Sequence, residues 1–254
     1  MQKTTYLQHC LNDRRISRWP QSIMPLSVYI APCRWYKSKS EADNYKNKQM
    51  VMNAFREWES LSGGAVSFNF VMSLHDSNIN VEWKRVERTS LGRCHFNYDK
   101  MGRLYSAELQ IGLSDGIIHK KYMDDGEVYH TILHEVGHAL GLGHSPNPAD
   151  IMYVPHKYGV TKLSKGDAKT LKWLYKFDVG LSCDEILAAH ASLAAPDLDD
   201  LVIKLSGEKS EFAKVKESIE KQPKKCLLQE SENIGELKKY LLELNNITIK
   251  KPKA

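Results

Sequence analysis

The chain has 254 residues, room for one domain of roughly 150–200 residues and an appendage. Hydrophobic residues make up 42% and charged residues 26%, which excludes collagen-like, coiled-coil-only and largely disordered chains. The net charge of +5 comes from dispersed Lys and Arg, so no nucleic-acid partner is indicated, and five widely spaced cysteines suit neither a disulfide framework nor a Cys-rich zinc ribbon.

In chain order, residues 1–17 read as an N-terminal segment. The charged start Met1-Gln2-Lys3 has no apolar stretch behind it, and no apolar run approaches the ~20 residues that span a bilayer. If Met1 is the native start, the expected compartment is the cytoplasm. Residues 26–30 alternate apolar and polar after Pro25, the mark of a strand. Residues 40–61 place Tyr45, Met50, Val51, Ala54, Phe55, Trp58 and Leu61 at helical spacing and stop at Gly63-Gly64, so a long helix is expected. Residues 66–71 and 78–83 alternate with period two and read as strands. Residues 92–98 and 104–113 read as a strand pair around a turn at Asp99-Lys100-Met101-Gly102. Two more helices are expected at 127–140 and 164–177, the second with Ser164 as N-cap and Asp167 in its first turn.

Composition changes near residue 180. All five Trp precede it, as do nine of the ten His, and the remainder is rich in Lys, Glu and Leu. Amphipathic helices are expected around 184–193, 208–221 and 232–244, and the Lys250-Lys251-Pro252-Lys253 end reads as a solvated tail. The expected organisation is therefore an N-terminal segment 1–17, a domain 18–179 and a helical C-terminal extension 180–254.

The chemistry concentrates in His134-Glu135-Val136-Gly137-His138-Ala139-Leu140-Gly141-Leu142-Gly143-His144. On a helix, residues four apart lie one above the other, so His134 and His138 can present two imidazoles to one cation. Neutral imidazole suits zinc. Glu135 follows the first of them, so its carboxylate falls beside the metal, where it can take a proton from a zinc-bound water. A straight helix cannot bring His144 to the same ion, but Gly141 can end the helix in a left-handed turn and let the chain bend back. Three protein ligands leave a fourth position for water, the catalytic arrangement. His130 shares the helix face but has no bend or Glu placing it on the metal, so it reads as a neighbour of the ligands or a surface residue.

This stretch resembles the metzincin signature of zinc endopeptidases, HExxHxxGxxH, and Ser145 after the third His is similar to the matrixin branch, the relatives of the matrix metalloproteinases. Asp150-Ile151-Met152-Tyr153-Val154-Pro155 is similar to the matrixin Met-turn. The resemblance implies that Met152 forms an apolar floor under the histidines, a place its polarizable thioether suits. Tyr153 directly after it is not expected to be a ligand. The run from Leu163 through Tyr175 resembles the family's C-terminal helix, with Asp167 matching its buried Asp that braces the Met-turn. Arg18-Trp19, the strand after Pro25, Phe55-Arg56-Glu57-Trp58 and Ser77-Asn78-Ile79-Asn80-Val81 fit the early strands and long helix of bacterial-type matrixin domains.

The resemblance implies an α/β (α+β) zincin-like catalytic domain with a twisted mixed sheet, a long helix, an active-site helix and a Met-turn. The activity it implies is hydrolysis of internal peptide bonds of a protein or peptide substrate, with catalytic zinc on His134, His138 and His144 and Glu135 as base. The substrate would lie extended along an edge strand, for which residues 92–98 are the candidate, and Val154, Pro155 and Tyr158 would line the pocket beyond the scissile bond. The alternative is a catalytically silent zinc scaffold whose C-terminal helices bind a protein partner.

There are departures from the family pattern. No Pro-Arg-Cys-Gly-type segment is present. Cys10, with no flanking motif, is either a thiolate cap on the zinc or a free or buried thiol, and Cys226, in Lys224-Lys225-Cys226, does not read as a reactive or inhibitory thiol. Neither a second zinc nor structural calcium is supported: His95 alone is a candidate structural-zinc histidine, and Asp115-Gly116 and Asp124-Asp125-Gly126 read as turns.

Overall fold

The computed structural model describes residues 3–33, 41–85, 91–113 and 124–207. The N-terminal residues form a short 3₁₀ turn at Leu7–Cys10 and a two-residue antiparallel pair, β1 (Leu11–Asn12) with β2 (Arg15–Ile16). The main sheet has five strands: β3 (Leu26–Ile30), β4 (Phe68–Val71), β5 (Ile79–Arg85), β6 (Gly92–Tyr98) and β7 (Leu104–Leu113). Their order is β4-β3-β5-β7-β6. All neighbours run parallel except β6 and β7, which form an antiparallel hairpin and leave β6 at one edge. The parallel step from β3 to β4 needs a long crossover, and α1 (Glu41–Ser62) supplies it.

Helix α1 buries Val51, Ala54, Phe55 and Trp58, one stripe at helical spacing. Tyr45, expected on that stripe, is 67% exposed. At 3.6 residues per turn it lies about a third of a turn away from Val51. Helix α2 (Asp125–Ala139) packs against α1, β6 and β7, so the apolar side chains between helices and sheet make the core. It starts two residues before the expected 127, because the Asp124 carboxylate caps it by accepting from the Glu127 N–H at 2.9 Å. Helix α3 (Lys165–Lys176) opens on the expected Ser164 and Asp167 pair, which form a reciprocal capping box. The mixed α/β architecture expected from the sequence is thus the one observed. Among the described residues no helix is long and apolar enough to cross a membrane.

The two ends of the described chain share one core. Residues Met1–Gly207 form one compact unit. Helices α4 (Cys183–Ala189) and α5 (Leu198–Leu205) bury Cys183, Ile186, Leu198, Leu201 and Val202 in the same core as Tyr6, Leu7, Cys10 and Ile16. The cause is local: Leu198, Leu201 and Val202 form an apolar face behind Pro196 that the Lys/Glu-rich average of the region conceals. The expected helices at 208–221 and 232–244, Cys226, Asp115-Gly116 and the Lys-rich end lie outside the described residues.

Fully buried Leu201 yields a stability prediction. Leu201→Ala is expected to lower the unfolding free energy by about 2–5 kcal/mol in a denaturant titration. A chain ending after Val179 is expected to unfold at lower denaturant than one ending after Gly207.

Candidate active site

Helix α2 is anchored at its carbonyls by three aromatic donors. The Trp58 indole donates to Leu133 O at 3.0 Å, the Trp19 indole to Ala139 O at 2.7 Å and the Tyr175 hydroxyl to Leu140 O at 3.1 Å. The last two satisfy carbonyls that a helix C-terminus leaves without partners. The helix then closes in a Schellman turn. The Leu142 N–H donates to Gly137 O at 3.0 Å and the Gly141 N–H to His138 O at 2.9 Å. Gly141 sits at φ +94°, a conformation with little steric penalty for glycine alone.

This turn brings the third histidine back over the helix. One ring nitrogen from each of His134, His138 and His144 lies within 4.8 Å of the other two. The orientation of two rings is fixed from behind: His134 Nδ1–H donates to Ile151 O and His138 Nδ1–H to Leu142 O, each at 2.8 Å. A proton on Nδ1 leaves the Nε2 lone pair as the ligand atom. The Nε2 atoms of His138 and His144 stand 3.2 Å apart. A tetrahedral ion with arms of ~2.0–2.1 Å would hold two nitrogens ~3.3 Å apart, so this pair has the spacing of zinc ligands and the three imidazoles have the chemistry. Burial disfavours the charged imidazolium and lowers the pKa of His134 to about 3 and of His138 to about 4, so both rings are neutral and able to bind metal.

Glu135 follows His134 and is 6% exposed. Its side chain packs under the start of the edge strand β6, where a Cβ on Gly92 would stand 2.7 Å from Oε1. Burial pushes the Glu135 carboxyl up to about 8, with the nearby Arg93 charge acting the other way. A divalent cation on the adjacent histidines would act in the same direction as Arg93. The Glu135 carboxyl thus lies against the edge strand β6, one residue after His134.

Beneath the histidines Met152 is fully buried, with its thioether against the Cα of Gly137, where any side chain would collide with it. Its loop is cross-braced. Ser145 N–H donates to Met152 O at 2.8 Å, and Asp150 accepts from the hydroxyls of Ser145 and Ser164. Asp167, fully buried, accepts from the Ile151 N–H at 2.9 Å and from the Tyr6 hydroxyl at 2.7 Å. Burial raises the Asp167 carboxyl, and these donors oppose the shift.

Val154, Pro155 and Tyr158 are exposed on the segment after Met152. Tyr158 donates its hydroxyl to Asp124 at 2.7 Å, tying that segment to the start of α2. The sequence reading did not single out His156, on the same segment, which pairs with buried Glu127. His130 is buried between them and His134: its ring lies against His156 and stacks on His134 at 6.2 Å, and its Nδ1–H donates to Val160 O at 2.6 Å. Burial lowers the His130 pKa to about 4. His95 is exposed on β6. Cys10 is a buried thiol rather than a thiolate, its pKa pushed up to about 12 by burial.

A family model described as matrixin matches residues 32–176. The "Putative matrix metalloproteinase" of Heliothis virescens ascovirus 3e is 28% identical over 145 residues, 48% of this chain and 29% of the relative. A protein of the same name from Trichoplusia ni ascovirus 2c is 36% identical over 92 residues, 36% of this chain and 16% of the relative. "Probable matrix metalloproteinase 095L" of Invertebrate iridescent virus 3 is 44% identical over 55 residues, 20% of this chain and 14% of the relative. The chain spans less than a third of the length of these relatives.

The dependence of the third histidine on the turn can be measured by metal analysis after dialysis. His144→Ala is expected to hold well under one zinc per chain. Gly141→Val is expected to fall between it and the wild type, because a β-branched residue resists positive φ and its Cβ would meet Ser17 O at 2.6 Å. Full occupancy in His144→Ala would remove His144 from the ligand set.

Proposed function

The chain belongs to the matrixin family, and from that premise we propose that it is a zinc metalloendopeptidase with His134, His138 and His144 as metal ligands and Glu135 as general base. The observation that carries this reading is the convergence of the three imidazoles within 4.8 Å, with the side chain of the residue after His134 packed under the edge strand at Gly92. Zinc, when bound there, supplies a Lewis acid that polarises the scissile carbonyl and acidifies a water.

The remaining steps belong to the chain's own groups. Glu135 accepts a proton from the attacking water as its oxygen bonds to the carbonyl carbon. As the C–N bond breaks, the same carboxyl returns that proton to the leaving amine. The substrate adds to β6 as a further strand, so backbone hydrogen bonds hold it with little demand on sequence. Val154, Pro155 and Tyr158, on the segment that leaves Met152, form the wall of the pocket beyond the scissile bond.

Digestion of casein or gelatin tests the activity. The full chain is expected to cleave it, to stop when a chelator removes the metal and to recover when zinc is returned. Glu135→Ala removes no ligand, so it is expected to keep its zinc while activity falls by at least about 100-fold. A Glu135→Ala protein as active as the wild type would overturn the assignment of the base.

A further inference from the structure

The matrixin match covers residues 32–176, yet the loop carrying His144 rests on parts of the chain outside it. Gly143 N–H donates to the Cys10 sulfur at 3.3 Å. Its Cα lies so close to the His9 carbonyl that a Cβ would overlap that oxygen, and a Cβ on Gly141 would press on Ser17 O. The backbone between helix α2 and His144 therefore lies directly on residues 9–17.

What holds that N-terminal stretch is a carboxylate far along the chain. Asp199, in the first turn of α5, accepts from the Thr5 hydroxyl and from the Leu7 N–H, both at 2.7 Å through the same oxygen. It is 2% exposed, and burying a carboxylate is unfavourable unless its acceptors are filled. Between these two contacts Tyr6 reaches the other side of the site. Its N–H donates to the Thr170 hydroxyl at 3.2 Å and its own hydroxyl to Asp167, which holds Ile151. Lys3 pairs with Asp197 at the start of the same helix. The Asp199 carboxylate, together with the Tyr6 contacts, thus pins the turn on which the loop carrying His144 lies.

We propose that Asp199 is a positioning residue for the metal centre: by fixing the Thr5–Cys10 stretch from α5, it holds the Gly143-His144 loop where His144 can bind. The inference rests on the reading of His134, His138 and His144 as a metal site. It extends the functional unit beyond the matched region at both ends, because neither the N-terminal turn nor α5 lies inside residues 32–176.

The test compares the full-length wild type with Asp199→Ala and Asp199→Asn. Zinc affinity is read by competition with a chelator, and ligand geometry by the visible spectrum of the cobalt(II) form. Groups bonded directly to a ligand typically account for 10–100-fold in metal affinity; Asp199 acts through the turn and the loop, so Asp199→Ala is expected to lose about 10-fold, the low end of that range, and to change the cobalt spectrum. Asp199→Asn keeps an oxygen for Thr5 and Leu7 and is expected to retain the wild-type affinity and spectrum. Unchanged affinity in the Ala variant, or an equal loss in both variants, would overturn the proposal.

If Asp199→Ala does not fold, the same link is tested at its other end. Cys10→Ala removes the acceptor of the Gly143 N–H and is expected to weaken zinc binding, whereas Cys10→Ser restores it; equal affinities in these two would overturn the proposal. A wild-type chain that binds neither zinc nor cobalt would overturn the metal-centre reading itself, and this inference with it.

Discussion

A single α-helix can offer two imidazoles to one ion but not three, because the next side chain on the same face lies a further turn, about 5.4 Å, away. The end of α2 resolves this constraint. The Schellman turn at Gly141 reverses the chain within three residues, and the Leu142 carbonyl it exposes is the group that orients His138. Terminating the helix, orienting the second imidazole and delivering the third are thus one local event. The rest of the fold holds α2 still: Trp58 from α1, Trp19 from the N-terminal stretch and Tyr175 from α3 each take one of its carbonyls.

The electrostatics follow from the same placement. Three neutral imidazoles and one buried carboxyl are stable without charge, and all of them gain from a cation. Burial lowers the two helix histidines and raises Glu135, so each shift favours the uncharged form. A pocket arranged in this way binds a divalent ion without first having to expel protons from its ligands. The thioether of Met152 against Gly137 adds packing on the helix between His134 and His138 without adding a competing charge.

The histidine cluster, the turn glycine, the capping box and the five main strands were legible because each rests on short-range spacing. His134 and His138 are one helical turn apart, Ser164 and Asp167 are three residues apart, and the strands alternate. What the sequence concealed was long-range. Tyr6 and Asp167 are separated by 161 residues, and Leu7 and Asp199 by 192. Neither pair has a local signature. Helix α5 did have one, in Leu198, Leu201 and Val202 after the capping Asp197, but composition averaged over the whole tail masked an eight-residue element. The Glu127 and His156 pair lies between these cases, since it joins the first turn of α2 to a loop whose path depends on Met152 being buried.

These two kinds of contact divide the work of building the site. Local spacing determines which atoms can bind a metal, while contacts between the two ends of the unit determine whether the atoms stay within 4.8 Å of one another. Loops closed by such distant contacts form only when most of the fold has closed, because the entropy of joining far segments is lost before the contacts return it. Metal binding and folding are therefore linked. An ion that binds only the closed form stabilises the whole unit by mass action, including the N-terminal turn and α5 that never touch it. Loosening of either terminal element would correspondingly be felt first at His144, which is reached through a loop, and only later at His134 and His138, which share a braced helix.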